Sequence, residues 1–352
     1  MSIDKVRPAV NSVEIVLGQL HDAIESIHVD LPEQCIVVER AHALVDRSPQ
    51  KPAEVLVIES KTKLGKTQVL DLISGHIRSA YVSPVQGWTC RMTCKGATDG
   101  SALGILLCRE LKVPPVGLGN MPRLGQYISE RITTRGPKLL AIDNAHLLTE
   151  EGIANEKALQ ILGAIVASGV VPVILSGRTG TLTVANHIME MVGQIMEVKE
   201  LSPLSFTKGA DLELIHDFLV VIEGELSPLL KTFGIATTLG TEDWAKRFWG
   251  ASWGSPGDIK ALVRATLVTV VRSQFETKRN SRYLVKREDF AETWRLLFAR
   301  SSPLKFNPFK RHDAPTLGEI QDARKGLEQN KQKEEFRLPK APKGKGSIIW
   351  RY

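Results

Sequence analysis

Val55-Leu-Val-Ile-Glu-Ser-Lys-Thr-Lys-Leu-Gly-Lys-Thr67 is the stretch whose reading decides the fold. Its first half is an apolar, β-branched run, the pattern of a buried strand. Its second half, Ser60-x-x-x-x-Gly65-Lys66-Thr67, is a phosphate-binding P-loop with Ser60 where the usual pattern has Gly. Gln68 to Ala80 then has helical composition. Strand, loop and helix in this order set backbone N–H groups and a helix N-terminus around an anion. The cradle would be Ser60, Lys61, Thr62, Lys63, Leu64, Gly65, Lys66, Thr67 and Gln68. Lys66 would reach the β- and γ-phosphates of ATP, and the Thr67 hydroxyl would ligate Mg²⁺. The plainer alternative is a strand-turn-helix with a solvated lysine.

Composition bounds the rest. The chain has 352 residues, 43% hydrophobic and 24% charged, as in ordinary globular proteins of two or three domains. No apolar run approaches 18 residues, so no membrane span is expected, and the polar start Met1-Ser-Ile-Asp lacks a signal-peptide core. Cys35, Cys90, Cys94 and Cys108 make neither a disulfide framework nor a zinc spacing, which fits reduced thiols and a cytoplasmic location. The net charge of +7 is lopsided: residues 301–352 hold twelve Lys and Arg against six Asp and Glu. A basic tail of this kind either meets nucleic acid or an acidic partner, or is a solvated extension.

Outward from the opening stretch, helices are expected at 10–27 and 31–45, broken by Ser48-Pro-Gln-Lys-Pro52. Strands are expected at 87–93, 138–143, 170–176 and 193–198. Helices are expected between them at 101–111 (capped by Asp99 or Ser101), 121–134, 156–168 and 182–191. Alternation of this kind argues for a parallel sheet covered on both faces. Beyond Leu201-Ser-Pro-Leu204 only helices are read, at 208–224, 241–249, 257–275 and 286–300. The domain reading is an N-terminal helical segment at 1–50, a nucleotide-binding core at 51–204, an all-helical lid at 205–300 and a basic C-terminal tail at 301–352.

A P-loop needs a second carboxylate strand, and Leu139-Leu-Ala-Ile-Asp143-Asn144 fits it. Asp143 would hold Mg²⁺ at the strand's C-terminal end, or else cap the next segment. Asn144 stands where such ATPases place Glu as the base for water. An amide orients water but takes no proton at neutral pH, so hydrolysis should be weak. His146 lies near enough to contact water, or is a satisfied structural group. Ser176 ends the 170–176 strand where a polar sensor would feel the γ-phosphate, and Arg178 follows as a phosphate contact, within or across subunits, or as a solvated loop arginine.

In order, Leu139-Leu-Ala-Ile-Asp-Asn-Ala-His146, Val171-Pro-Val-Ile-Leu-Ser-Gly177 and Leu201-Ser-Pro-Leu204 resemble the AAA+ regulators of transposition TniB and TnsC. Gly254-Ser-Pro-Gly-Asp258-Ile259 resembles the TnsC lid segment, and Lys343-Gly-Lys-Gly-Ser-Ile-Ile349 the TnsC C-terminus. The resemblance implies the AAA+ fold, with ATP and Mg²⁺ bound. It implies homo-oligomeric rings or filaments around double-stranded DNA and a link from a target selector to the transposase. By the same resemblance Lys95, with Arg91 and Lys112 as weaker candidates, would meet DNA phosphates without reading sequence. Lys343, Lys345, Ile348, Ile349 and Trp350 would meet the transposase. Gln194 stands near where relatives carry an Arg that would serve as a trans finger. With Ser60, Asn144 and Gln194 all departing, hydrolysis should suffer more than binding. The rival expectations are an active AAA+ loader or motor of the replication-initiator type, and a nucleotide-free pseudo-ATPase scaffold.

Overall fold

The structure, a computed structural model, describes residues 7–27, 31–81, 87–95, 99–150, 153–192, 196–205, 208–277, 282–299, 302, 304–323 and 325. In chain order the elements are α1 (Arg7–Ser26), α2 (Pro32–Arg47), β1 (Val55–Glu59), α3 (Lys66–Ala80), β2 (Thr89–Thr93), α4 (Gly100–Glu110), α5 (Met121–Arg135) and β3 (Leu139–Asp143). A 3₁₀ turn (Ala145–Leu148) leads to β4 (Thr149–Glu150), β5 (Ile153–Ala154), α6 (Glu156–Ser168), β6 (Val173–Gly177), α7 (Thr181–Val192) and β7 (Met196–Glu200). Then come α8 (Gly209–Lys231), β8 (Ile235–Ala236), α9 (Glu242–Ser252), α10 (Pro256–Thr277), β9 (Tyr283–Leu284) and α11 (Arg287–Leu297).

These elements form two compact units. One comprises residues 28–203 with Ser255–Asp258. Its sheet is parallel, in the order β2-β3-β6-β1-β7. Strand residues alternate between faces, as period-two side chains must. Val55, Val57, Leu140, Ile142, Val173 and Leu175 face one buried cluster, with α4, α5, α6 and α7. Leu56, Ile58, Leu139, Ala141 and Ile174 face the other, with α2 and α3. Burial on both sides is why these strands read as unbroken apolar runs. α6 begins and ends where the sequence places it. The Asn155 side chain accepts from Ala158 N, and Gly169 closes the helix at φ +67°.

The described residues within 7–27, 204–254 and 259–325 form the other unit. It holds α1, α8, α9, most of α10 and α11, with a two-residue parallel pairing of β8 and β9. Trp244, Phe248, Phe290 and Phe309 form its aromatic centre, ring centroids 5.2–6.0 Å apart. Three features differ from the sequence expectation. α8 runs past Gly224 through Pro228, because buried Leu226 and Leu230 continue its apolar stripe. Helix α1 groups with this unit and α2 with the sheet, so residues before 50 do not form a segment of their own. Residues 304–320 are packed rather than trailing: Leu304, Phe309 and Ile320 are buried. Arg247, with no exposed surface, donates to Pro308 O at 2.6 Å, Arg311 O at 3.0 Å and His312 O at 2.7 Å.

Candidate nucleotide site

Interior strand β1, between β6 and β7, delivers the chain to the loop 60–65 at the C-terminal edge of the sheet, where open α/β sheets bind ligands. Lys63 (φ +66°) and Gly65 (φ +83°) are both left-handed, the backbone form that turns neighbouring N–H groups into an anion-binding concavity. Gly65 caps α3 with no side-chain hydrogen bond, which leaves the first N–H groups of that helix to a ligand. Glycine is required at 65. Besides its φ, a Cβ there would crowd the Gln34 side chain of α2.

Lys66 is buried and folds back on the loop. Its ammonium donates to Ser60 O and Ser60 Oγ at 2.9 Å and to Lys61 O at 2.5 Å, filling all three donors. Ser60 is therefore a participant: its hydroxyl anchors the lysine. Burial pushes Lys66 below the ordinary lysine pKa, and Asp143 opposes the shift. At its far edge the loop is braced by Lys63, whose Nζ pairs with Asp258 at 2.7 Å while its carbonyl accepts from Gly257 N and Ser255 Oγ.

Asp143, buried at the end of β3, is gripped on both oxygens. Oδ2 accepts from Thr67 Oγ1 and Oδ1 from Asn144 N, each at 2.9 Å. A hydroxyl and a carboxylate at this separation form a hard-oxygen set that suits Mg²⁺. Asn144 is itself left-handed (φ +56°), a conformation asparagine tolerates better than glutamate, and its amide reaches Cys94 O at 3.5 Å. Ser176, opposite Ile58 in the β1–β6 register, is fully buried, and its hydroxyl has no partner among the described residues. A buried hydroxyl left without a partner near the C-terminal end of β6 is the kind of polar group that a ligand or an ordered water satisfies.

His146 and Arg178 meet each other. Arg178 Nε lies 3.1 Å from His146 Nε2, and Arg178 N lies 3.3 Å from Nδ1. A neutral imidazole offers one acceptor, and the shorter, charge-assisted contact takes it. Burial first, then Arg178 and Lys66, hold His146 below the usual histidine pKa. Arg178 is thereby oriented by a histidine rather than loose in a loop.

The three DNA candidates do not form one group. Lys95 is exposed just beyond β2. Lys112 follows α4 at φ +57°, its carbonyl accepting from Arg135. Arg91 is drawn inward to Asp71, Thr67 and Asp143. Sequence reading missed this and also missed Gln34 and Asp258. Gln194 and the tail positions Lys343, Lys345, Ile348, Ile349 and Trp350 lie outside the described residues.

No family model matches the sequence, and no curated protein does. Solved structures share the fold. Cdc6p from Pyrobaculum aerophilum superposes with a TM-score of 0.54 at 13% identity, over 88% of this chain and 84% of that one. The ADP form of the Aeropyrum pernix ORC2 protein gives 0.53 at 11% identity, over 78% and 72%. ORC2 as ADPNP–ADP complexes gives 0.52 at 10% identity, over 79% and 72%. At such identities the likeness is one of fold, and that fold is the AAA+ P-loop fold: a five-stranded parallel sheet with helices on both faces.

Proposed function

We propose that this chain is an ATP- and Mg²⁺-binding AAA+ regulator that assembles on double-stranded DNA and hydrolyses ATP poorly. On this reading it links a target selector to a transposase. The observation that carries the nucleotide part is the C-terminal end of the sheet, where Lys66 is held by Ser60 and Thr67 Oγ1 meets Asp143 Oδ2 at 2.9 Å, with an amide rather than a carboxylate after Asp143. Lys66 and the loop N–H groups would hold the β- and γ-phosphates, and Thr67 and Asp143 the metal. Mg²⁺ supplies charge neutralisation on the phosphates. Asn144 positions water without accepting its proton, so the residues favour retention of ATP over turnover.

The transposition part rests on the ordered motifs at 139–148, 171–177, 201–204, 254–262 and 343–349. Lys95 is the exposed cation that best suits a DNA phosphate. Robust Mg²⁺-dependent hydrolysis in the presence of DNA, lost in Lys66→Ala, would sink the weak-turnover reading. Electron microscopy with duplex DNA and ATP checks assembly: rings or filaments on DNA are expected, and isolated particles would count against it. A second reading, an active loader or motor of the replication-initiator type, draws on the fold likeness to Cdc6p and ORC2. The same turnover assay separates the two.

A further inference from the structure

Arg91 lies in the middle of β2, where Cys90 and Met92 are buried toward one face and Arg91 emerges on the other. Its guanidinium is ion-paired with Asp71 of α3. It also lies 3.4 Å from Thr67 O and 3.9 Å from Asp143 Oδ2. Asp71 stands one helical turn beyond Thr67 on the same helix, so the guanidinium sits among Thr67, Asp71 and Asp143. The Asp143 oxygen it approaches is the one that takes the Thr67 hydroxyl. That hydroxyl and that oxygen are the two groups a divalent cation would need.

We propose that Arg91 is a built-in counter-cation of the nucleotide site, holding Asp143 in place of the metal and making ATP binding weakly dependent on Mg²⁺. The inference rests on the nucleotide reading above. An arginine stays charged at every physiological pH, and here it hydrogen-bonds Asp71 while standing at ion-pair distance from Asp143. It therefore neutralises a carboxylate that is 2% exposed and would otherwise be costly to bury. A metal at Thr67 and Asp143 competes with it for Oδ2. Arg91 thus weakens the metal's hold while supplying positive charge near the phosphates when no metal is there. Both effects narrow the gap between ATP affinity with Mg²⁺ and without it. Arg91 is a positioning residue in this account, acting through Asp143, and it is withdrawn from DNA.

The test is titration of the full chain with ATP, in excess Mg²⁺ and in EDTA. The readout is the ratio of the two dissociation constants. Arg91→Gln is expected to widen that ratio by about 5–150-fold, the usual size of coupling between two ligands. Asp71→Asn releases the guanidinium toward Asp143 and should narrow the ratio. Because Asp71 is exposed, this variant carries the test if Arg91→Gln does not fold. Ratios equal to wild type in the folded variants would overturn the role of Arg91 and leave nucleotide binding standing. Absence of ATP binding by the wild type in both conditions would overturn the nucleotide reading and this proposal with it. Duplex DNA affinity in Arg91→Gln should keep the wild-type salt slope, whereas a loss of about one unit of slope would put Arg91 on DNA instead.

Discussion

Thr67 Oγ1 and Asp143 Oδ2 are hydrogen-bonded at 2.9 Å across 76 residues of sequence. The P-loop helix and the carboxylate strand are thus held together by the protein's own polar groups. Chemistry at this site is set by which side chains are satisfied within it and which are not, and the first prediction below follows from that division.

Ser176 is unsatisfied among the described residues. Removing a buried hydroxyl without a partner relieves a desolvation penalty, so Ser176→Ala should raise the melting temperature of the nucleotide-free protein by about 2–4 °C. The same variant should show a smaller ATP-induced rise. Differential scanning fluorimetry with and without ATP reads both, and an unchanged ATP shift would place Ser176 outside phosphate recognition.

Asn144 separates catalysis from conformation. Asn144→Glu supplies a base, and steady-state phosphate release should increase by about 10²-fold or more. Glutamate tolerates φ +56° less well than asparagine, so the variant should also lose about 1 kcal/mol of stability in denaturant melts. Turnover at the wild-type level would mean that the missing base is not what limits hydrolysis.

Gly65→Ala should cost about 1–2 kcal/mol for its left-handed backbone. Isothermal titration is expected to show ATP binding lost while circular dichroism shows the helices retained.

His146 gives the protein a pH response. Its pKa in the folded state lies below the ordinary 6.5, so the unfolded chain takes up the proton first as pH falls. The contribution is intact above about pH 6.5 and is lost as pH drops from there through the folded value. Protonation also removes the acceptor that orients Arg178. Denaturant melts of wild type and His146→Gln between pH 5 and 8 check this: the variant should show the flatter curve.

Arg247 closes the second unit. Arg247→Ala removes the donor shared by Pro308, Arg311 and His312, and should cost about 3 kcal/mol. Limited proteolysis should then cut within 304–320, where the wild type is expected to resist.

Much of the fold was legible in the sequence. Strands buried on both faces leave apolar runs that need no partner to be recognised, as at Val55–Glu59 and Leu139–Asp143. The capped helix Glu156–Ser168 was legible at both ends for the same local reasons. Two-residue strands such as Ile235–Ala236 are too short to show a period. Lys66, Thr67 and Asp143 could be singled out because their motifs are contiguous, and the structure brings the last two together at 2.9 Å. The place of Arg91 was not, because it depends on β2 lying beside β3, and strand order is written in no local stretch. Arg247 was invisible for the same reason: an isolated arginine on a helix reads as solvated until the carbonyls that need it are found elsewhere.

The order β2-β3-β6-β1-β7 has a kinetic consequence. Every neighbour pair in this sheet joins strands separated by intervening helices, so the loop 60–67 can close on itself locally but its meeting with Asp143 and Ser176 needs distant strands. Pairings of such long sequence separation bear a large loop-closure cost and fold slowly. Ser60, Asp143 and Ser176 become neighbours only once β6 has entered between β3 and β1. Nucleotide therefore cannot template the sheet and can only trap it when complete. At about a hundred times its dissociation constant it would deepen the native well by roughly 2.7 kcal/mol. It should thus slow unfolding and leave the folding rate almost untouched.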